Sequence, residues 1–208
     1  MDERGYIILG PQTLVFLMGT ALSFIAALPI AIEFPPESAE EQRYTGSVYV
    51  GGSVGGTLRT LSSSEAQFQS QGVIDEDKDG TGEYGLLSDL AGAPLRNGNP
   101  PVNPPFVSSF FARTNQHGFV AKGGFYYRSY VSKDPDVAEN KFVILAWPIQ
   151  RGVSGRNTYL LDQSGEIYAW VRGDWGFSGT DAPKLEDVFW GEPWTTPINE
   201  YNWKNAEY

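Results

Sequence analysis

The sequence predicts an α+β protein: a transmembrane helix, one amphipathic helix packed on an antiparallel sheet, and an irregular aromatic C-terminal tail. Three observations support this. A long uncharged apolar run lies near the N terminus. One helical pattern then precedes several strand patterns, which is the α+β order. The 24 Gly, 14 Pro and 14% aromatic residues favour short strands joined by turns over a helical bundle.

The apolar run predicts a single-pass membrane anchor. Residues 6–32 contain no charged side chain. The segment 12–32 spans about 31 Å as a helix at about 1.5 Å per residue, which matches the hydrocarbon core of a bilayer. We expect the short N-terminal tail to stay in the cytoplasm and the acidic remainder to be exported. The predicted lipid-facing residues are Leu14, Phe16, Leu17, Leu22, Phe24 and Ile25.

Four segments follow from these patterns. They are the N-terminal tail with the transmembrane helix (1–32), a Pro/Gly-rich linker (33–56), an α+β head (57–172) and an aromatic acidic docking tail (173–208). In the head, Leu58, Leu61 and Phe68 share one face of a helix predicted over 57–71, and Gly72 is suited to end it. A short helix is predicted over 84–90. Strands are predicted over 106–113, 119–132, 141–149, 158–162 and 166–171.

Composition excludes several functions. A net charge of −10 argues against nucleic-acid binding. The absence of Cys excludes disulfides, thiolate zinc sites and thiol catalysis. His117 is the single histidine and lies in a predicted loop. No paired acid and base stand out, so we predict that the protein is not an enzyme and has no catalytic residues.

The acidic loop after Gly72 is the best candidate for a metal site. Its Asp-x-Asp-x-Asp-Gly pattern places hard oxygen ligands at alternate positions before a residue that permits a sharp turn. Leu86 occupies the position where a bidentate glutamate would complete a calcium loop. Calcium binding and a solvated acidic turn both remain open. The candidate Ca²⁺ ligands are Asp75, Asp77, Asp79, Thr81 and Glu83.

The segment 173–208 has its own composition. It holds eight aromatic residues and seven acids against two lysines. Its rings either cover their own domain or serve as anchors on a partner protein. The candidate partner-binding residues are Trp175, Phe177, Phe189, Trp190, Trp194, Tyr201 and Trp203.

Several short motifs occur in an order that suggests a family. They are TLRTLSSSEAQFQ, DEDKDGTGEYGLLSDLAG, AWPI and GRNTYLLDQSGEIYAW, all downstream of the predicted membrane helix. Across 57–171 the chain resembles type IV pilin-like and type II secretion pseudopilin-like proteins of bacteria. The resemblance implies a pilin-like head in the periplasm, anchored in the bacterial inner membrane, with calcium in a head loop.

The N terminus departs from the prepilin pattern, in which a Gly-Phe-Thr-Leu-Val-Glu sequence is cleaved after the glycine. Pro11, Gln12 and Phe16 stand where the glycine, phenylalanine and glutamate would be. We therefore predict a non-enzymatic, membrane-anchored structural subunit that stabilises a larger secretion, respiratory or photosynthetic complex. Its expected partners are other membrane protein subunits and the lipid bilayer. The alternatives are a pilin or pseudopilin filament subunit and an anchored calcium-dependent glycan-binding module.

Overall fold

A computed structural model describes residues 52–171 and 176–206, which belong to one compact unit extending over 46–208. The predicted membrane segment, with all six predicted lipid-facing residues, lies outside the described residues. The helices are α1 (Gly52–Ser70), α2 (Leu87–Leu90), a 3₁₀ turn (Ser109–Ala112), α3 (Pro135–Ala138) and α4 (Leu185–Val188). The strands are β1 (Val120–Lys122), β2 (Phe125–Val131), β3 (Phe142–Pro148), β4 (Tyr159–Asp162), β5 (Ile167–Trp170) and β6 (Trp203–Asn205).

The six strands form one antiparallel sheet in which each strand pairs with its neighbours in sequence order. A two-residue turn joins β1 to β2. Its glycines, Gly123 and Gly124, have φ values of 58° and 82°, a left-handed backbone that suits a tight hairpin. The strand predicted as a single unit over 119–132 is therefore two strands of a hairpin.

Both faces of the sheet are covered. On one face, Leu58, Leu61 and Phe68 of α1 pack with Ile144 and Leu161 of the sheet. On the other face, the C-terminal segment contributes to a second cluster. That cluster contains Phe119, Val143, Leu145, Trp147, Leu160, Val188, Phe189 and Trp203. All seven residues of β3 are buried, as expected for a central strand with packing on both sides.

Helix α1 forms where apolar residues recur at helical spacing. Leu58, Leu61 and Phe68 are fully buried, which confirms their predicted shared face. Gly72 follows with φ 58°, and its N–H donates to the carbonyl of Gln69 at 3.0 Å, so the helix ends where the sequence predicts. The helix nevertheless begins at Gly52, inside the predicted linker.

The predicted fold class is wrong. The described residues form mainly a six-stranded antiparallel sheet, accompanied by α1 and helices of a single turn. None of the described helices combines the length and apolar character needed to cross a bilayer. The C-terminal tail is not simply irregular, because it supplies α4 and the edge strand β6. A pilin-like head with a separate irregular tail does not describe the architecture of the described residues.

The strand predictions differ in outcome. Strands β3, β4 and β5 confirm the predicted strands over 141–149, 158–162 and 166–171. The strand predicted over 106–113 is wrong, since the hydroxyl oxygen of Ser108 accepts a hydrogen bond from the Phe110 N–H and starts a 3₁₀ turn there. The N–H groups of Phe106 and Val107 bond to the carbonyl of Leu90 instead of to a strand.

Candidate metal site and buried acids

The acidic loop brings three aspartates together. Carboxylate oxygens of Asp75, Asp77 and Asp79 all lie within 4.8 Å of one another. Left-handed backbone at Lys78, with φ 63°, and at Gly80, with φ 95°, folds the loop tightly enough for this. The loop closes where the N–H of Glu83 donates to the carbonyl of Ile74 at 2.9 Å.

Backbone N–H groups within the loop fix the orientation of these carboxylates. The N–H of Gly80 donates to Oδ2 of Asp75 at 3.2 Å, and the N–H of Thr81 donates to Oδ1 of Asp79 at 2.6 Å. Asp77 accepts from the N–H of Asp79 at 3.2 Å. That bond favours the Asp77 carboxylate, but desolvation and the carboxylates of Asp79 and Asp75 outweigh it and raise the pKa of Asp77.

Glu139 is a fourth acid near this cluster. It follows α3, and the N–H of Tyr84 donates to the carbonyl of Ala138 at 3.0 Å, which ties this turn to the end of the acidic loop. Desolvation raises the pKa of Glu139, and the carboxylates of Asp79 and Asp77 raise it further. Sequence reasoning missed this residue because it lies far along the chain from the loop.

Two carboxylate oxygens, one in the loop and one on Glu139, are inaccessible to solvent and accept no hydrogen bond. They are Oδ1 of Asp75 and Oε1 of Glu139. A buried carboxylate oxygen without a donor is costly unless a cation or a proton satisfies it. A bound hard cation would relieve the mutual repulsion of the acids and would also satisfy these two oxygens.

Glu83, a predicted ligand, has a different role. Its side chain is buried, and its Oε2 accepts a hydrogen bond from Nη2 of Arg96. Its Oε1 accepts from the N–H of Glu76 at 2.8 Å. Both oxygens are therefore used within the protein, and Glu83 is not among the three clustered aspartates. Thr81 is exposed and remains a candidate through its carbonyl oxygen.

Glu65 is a second unusual acid, buried under the sheet in α1. Its Oε2 accepts from the N–H of Gly85 at 3.1 Å, whereas its buried Oε1 has no hydrogen-bond partner. Burial raises the pKa of Glu65 to about 8, with a smaller contribution from the carboxylate of Asp89. The Glu65 carboxyl is therefore largely protonated near neutral pH.

The predicted partner-binding residues fall into three groups. Phe189 and Trp203 are buried against their own sheet, and Phe177 and Trp194 are half-buried there. Trp190 and Tyr201 are exposed, at 56% and 63%. Trp175 lies outside the described residues. Packing within the chain thus accounts for four of these rings, and Trp190 and Tyr201 are the exposed ones among the described residues.

The fold and site together define an antiparallel β-domain with an acidic candidate cation site. Residues 39–186 match the model of a family described as "Protein of unknown function (DUF2950)". Because this match covers more than half of the chain, the protein belongs to that family. No curated protein and no solved structure matches the chain. The family match includes the acidic loop and Glu139, whereas β6 lies beyond it.

Proposed function

We propose that this protein is a non-enzymatic structural subunit whose acidic loop binds Ca²⁺ and which holds partner proteins in a larger assembly. The observation that carries the proposal is the convergence of Asp75, Asp77 and Asp79. Glu139, on a distant turn, is the candidate for a fourth carboxylate, because the carboxylates of Asp79 and Asp77 contribute to its raised pKa. A cation bound between them would fasten the loop to that turn.

The donor set favours Ca²⁺ over other metals. Calcium takes about six to eight oxygen ligands in a flexible arrangement and accepts several carboxylates. Asp75, Asp77 and Asp79 would supply carboxylates, Glu139 and the Thr81 carbonyl are further candidates, and water would complete the set. Magnesium requires stricter octahedral geometry and retains more of its water. Zinc favours nitrogen and sulfur ligands, and the loop contains neither His nor Cys.

The structural role is supported by the placement of the exposed aromatic side chains. Trp190 and Tyr201 lie on the C-terminal segment, whose neighbouring rings are anchored in the second core. Rigidly supported aromatic residues are typical anchors at protein interfaces because little side-chain entropy is lost on binding.

Calcium binding is tested by isothermal titration of the full-length protein after chelation, with Ca²⁺ and Mg²⁺ compared. We expect saturable Ca²⁺ binding and a rise in thermal stability, because a ligand at about 100 times its Kd stabilises the folded state by about 2.7 kcal/mol. Asp77→Asn combined with Asp79→Asn should abolish both effects, and Glu139→Gln should weaken them. The matched control is Asp136→Asn, which removes a nearby acid outside the cluster.

The partner-binding role needs a separate measurement. Chemical crosslinking in cells, with the wild-type chain and a Trp190→Ser, Tyr201→Ser double variant, should show a defined crosslinked species that the double variant loses. Absence of Ca²⁺ binding would refute the metal site alone. An unchanged crosslinking pattern in the double variant would refute the proposed contact surface alone.

A further inference from the structure

A cavity of about 250 Å³ lies between the sheet and the C-terminal segment. Strand residues Val143, Asp162 and Tyr168 line one side. Phe189 and Trp194 line the other side. Ligand sites are typically concave and largely apolar, with a few polar groups directed inward, and their volumes begin at about 300 Å³. This cavity is therefore suited to a ligand about the size of a single ring.

The segment that covers the cavity is held in a fixed conformation. Phe189 and Ile198 form a β-bridge, and the N–H of Trp190 donates to the carbonyl of Pro197 at 3.3 Å. The ring of Trp194 packs against that of Phe189, with centroids 5.7 Å apart. These contacts therefore fix the position of the Trp194 indole at the cavity.

Trp194 also has an unusual backbone conformation. Its φ of 71° lies in the left-handed region, which is strained for a non-glycine residue and occurs frequently at ligand-binding sites. The ammonium group of Lys141 donates a hydrogen bond to the Trp194 carbonyl. This hydrogen bond stabilises the backbone conformation of Trp194. Lys141 itself also lines the cavity.

Asp162 supplies an acceptor inside the cavity. Asp162 is 6% exposed, and its Oδ1 accepts hydrogen bonds from the N–H and the Oγ of Ser164. Its carboxylate lines the cavity. In the part of the chain that the structure describes, no ion pair joins Asp162 to Lys141, although both line the same cavity. An anionic acceptor and a cationic donor are therefore both available there.

We propose that this cavity binds one saccharide ring. Sugar hydroxyls donate and accept hydrogen bonds, so they satisfy the Asp162 carboxylate and the Lys141 ammonium together. The indole of Trp194 and the phenol ring of Tyr168 offer apolar surface to the C–H groups of a pyranose. The lining carries charges of both signs, from Lys141 and from Asp162 and Glu200, which suits a neutral ligand that both donates and accepts hydrogen bonds.

The cavity is a different site from the acidic loop, so this proposal does not depend on Ca²⁺ binding. It is tested by following intrinsic tryptophan fluorescence while the full-length protein is titrated with glucose, galactose, mannose or N-acetylglucosamine. We expect at least one of these sugars to bind saturably. Glycine and phenylalanine are included as probes for a zwitterionic ligand.

Two variants and their controls identify the site by isothermal titration. Asp162→Asn should weaken saccharide binding about tenfold or more, because a hydrogen bond to a charged group contributes about 1.5–3 kcal/mol. Trp194→Gly removes the ring and relieves the left-handed backbone, so it should fold and lose binding. Asp181→Asn and Phe110→Ala change an exposed acid and an exposed ring outside the cavity and should bind normally.

Three results would overturn the proposal. One is that none of the sugars binds saturably. Another is that glycine or phenylalanine binds and the sugars do not. The third is that both cavity variants, shown by circular dichroism to be folded, bind a sugar as tightly as the wild-type protein. Loss of binding in the cavity variants but not in the two controls supports the site.

Discussion

Replacement of Glu65 by glutamine should make the protein more stable above neutral pH. Glu65 is fully buried in α1, where one carboxyl oxygen accepts a hydrogen bond from the N–H of Gly85 and the other has no partner. Glutamine keeps the acceptor for Gly85 and is close in shape to the protonated acid. The substitution therefore removes the cost of ionising a buried carboxyl group without creating a cavity.

The magnitude follows from the pKa of Glu65, which burial raises from 4.5 to about 8. Between these two values the folded chain binds more protons at this site than the unfolded chain does, so stability is greatest below the lower value and falls as pH rises. At about 1.36 kcal/mol per pH unit, the loss approaches about 5 kcal/mol. That is a large share of a typical stability of about 5–15 kcal/mol.

The assay is urea unfolding of the wild-type and Glu65→Gln proteins from about pH 5 to about pH 9. Burial also raises the pKa values of Asp89 and Asp162, so both proteins will lose stability from those groups. The informative quantity is the difference between the two proteins, in which the shared contributions cancel. Glu192→Gln, at an exposed position, is the control.

We expect this difference to be small near the acidic end and to grow by several kcal/mol in favour of the variant at the alkaline end. A difference that stays constant across the range would refute the inference that Glu65 ionises with a raised pKa. So would a wild-type protein that becomes relatively more stable than the variant as pH rises.

Four further substitutions test the packing by urea unfolding. Gly82→Ala should destabilise strongly, because a Cβ there would lie 2.0 Å from the Gln69 carbonyl oxygen; Gly56→Ala, on an open face of α1, should stabilise by about 0.5–1 kcal/mol. Equal effects would contradict the packing around Gly82. Arg96→Met should cost about 3–5 kcal/mol by leaving the Glu83 carboxylate buried without its partner, and a neutral result would contradict that pairing. Trp203→Ala should cost about 3–5 kcal/mol, and a loss below about 1 kcal/mol would contradict its burial in the core.

Local patterns predicted the parts of the fold that local chemistry determines. The 3.6-residue spacing of Leu58, Leu61 and Phe68 predicted the buried face of α1, and Gly72 predicted its end. The apolar and β-branched runs predicted β3, β4 and β5. The start of α1 was missed because glycine-rich sequence has low helix propensity. Burial of Val54 offsets that cost in the folded chain.

The sequence predicted only part of the candidate metal site, because the rest depends on a contact between distant parts of the chain. The spacing of Asp75, Asp77 and Asp79 is a local signal, and the structure brings their carboxylates together. Glu139 lies in the same region because the N–H of Tyr84 donates a hydrogen bond to the carbonyl of Ala138, the residue before Glu139. The spacing of residues in the sequence does not predict that contact. Glu83 fitted the ligand spacing, yet it is buried and paired with Arg96.

The aromatic tail was predicted either to cover its own domain or to anchor a partner protein. The burial of β3 distinguishes these two interpretations. A strand that alternates apolar and polar residues needs cover on one face, whereas FVILAWP is apolar throughout and requires cover on both. Helix α1 covers one face, and the other carries the indole of Trp147, whose Nε1 donates to the carbonyl of Gly179. Val188 and Trp203 pack in the same cluster. The C-terminal segment is thus part of the domain core, which leaves Trp190 and Tyr201 as its exposed aromatic residues within the described range.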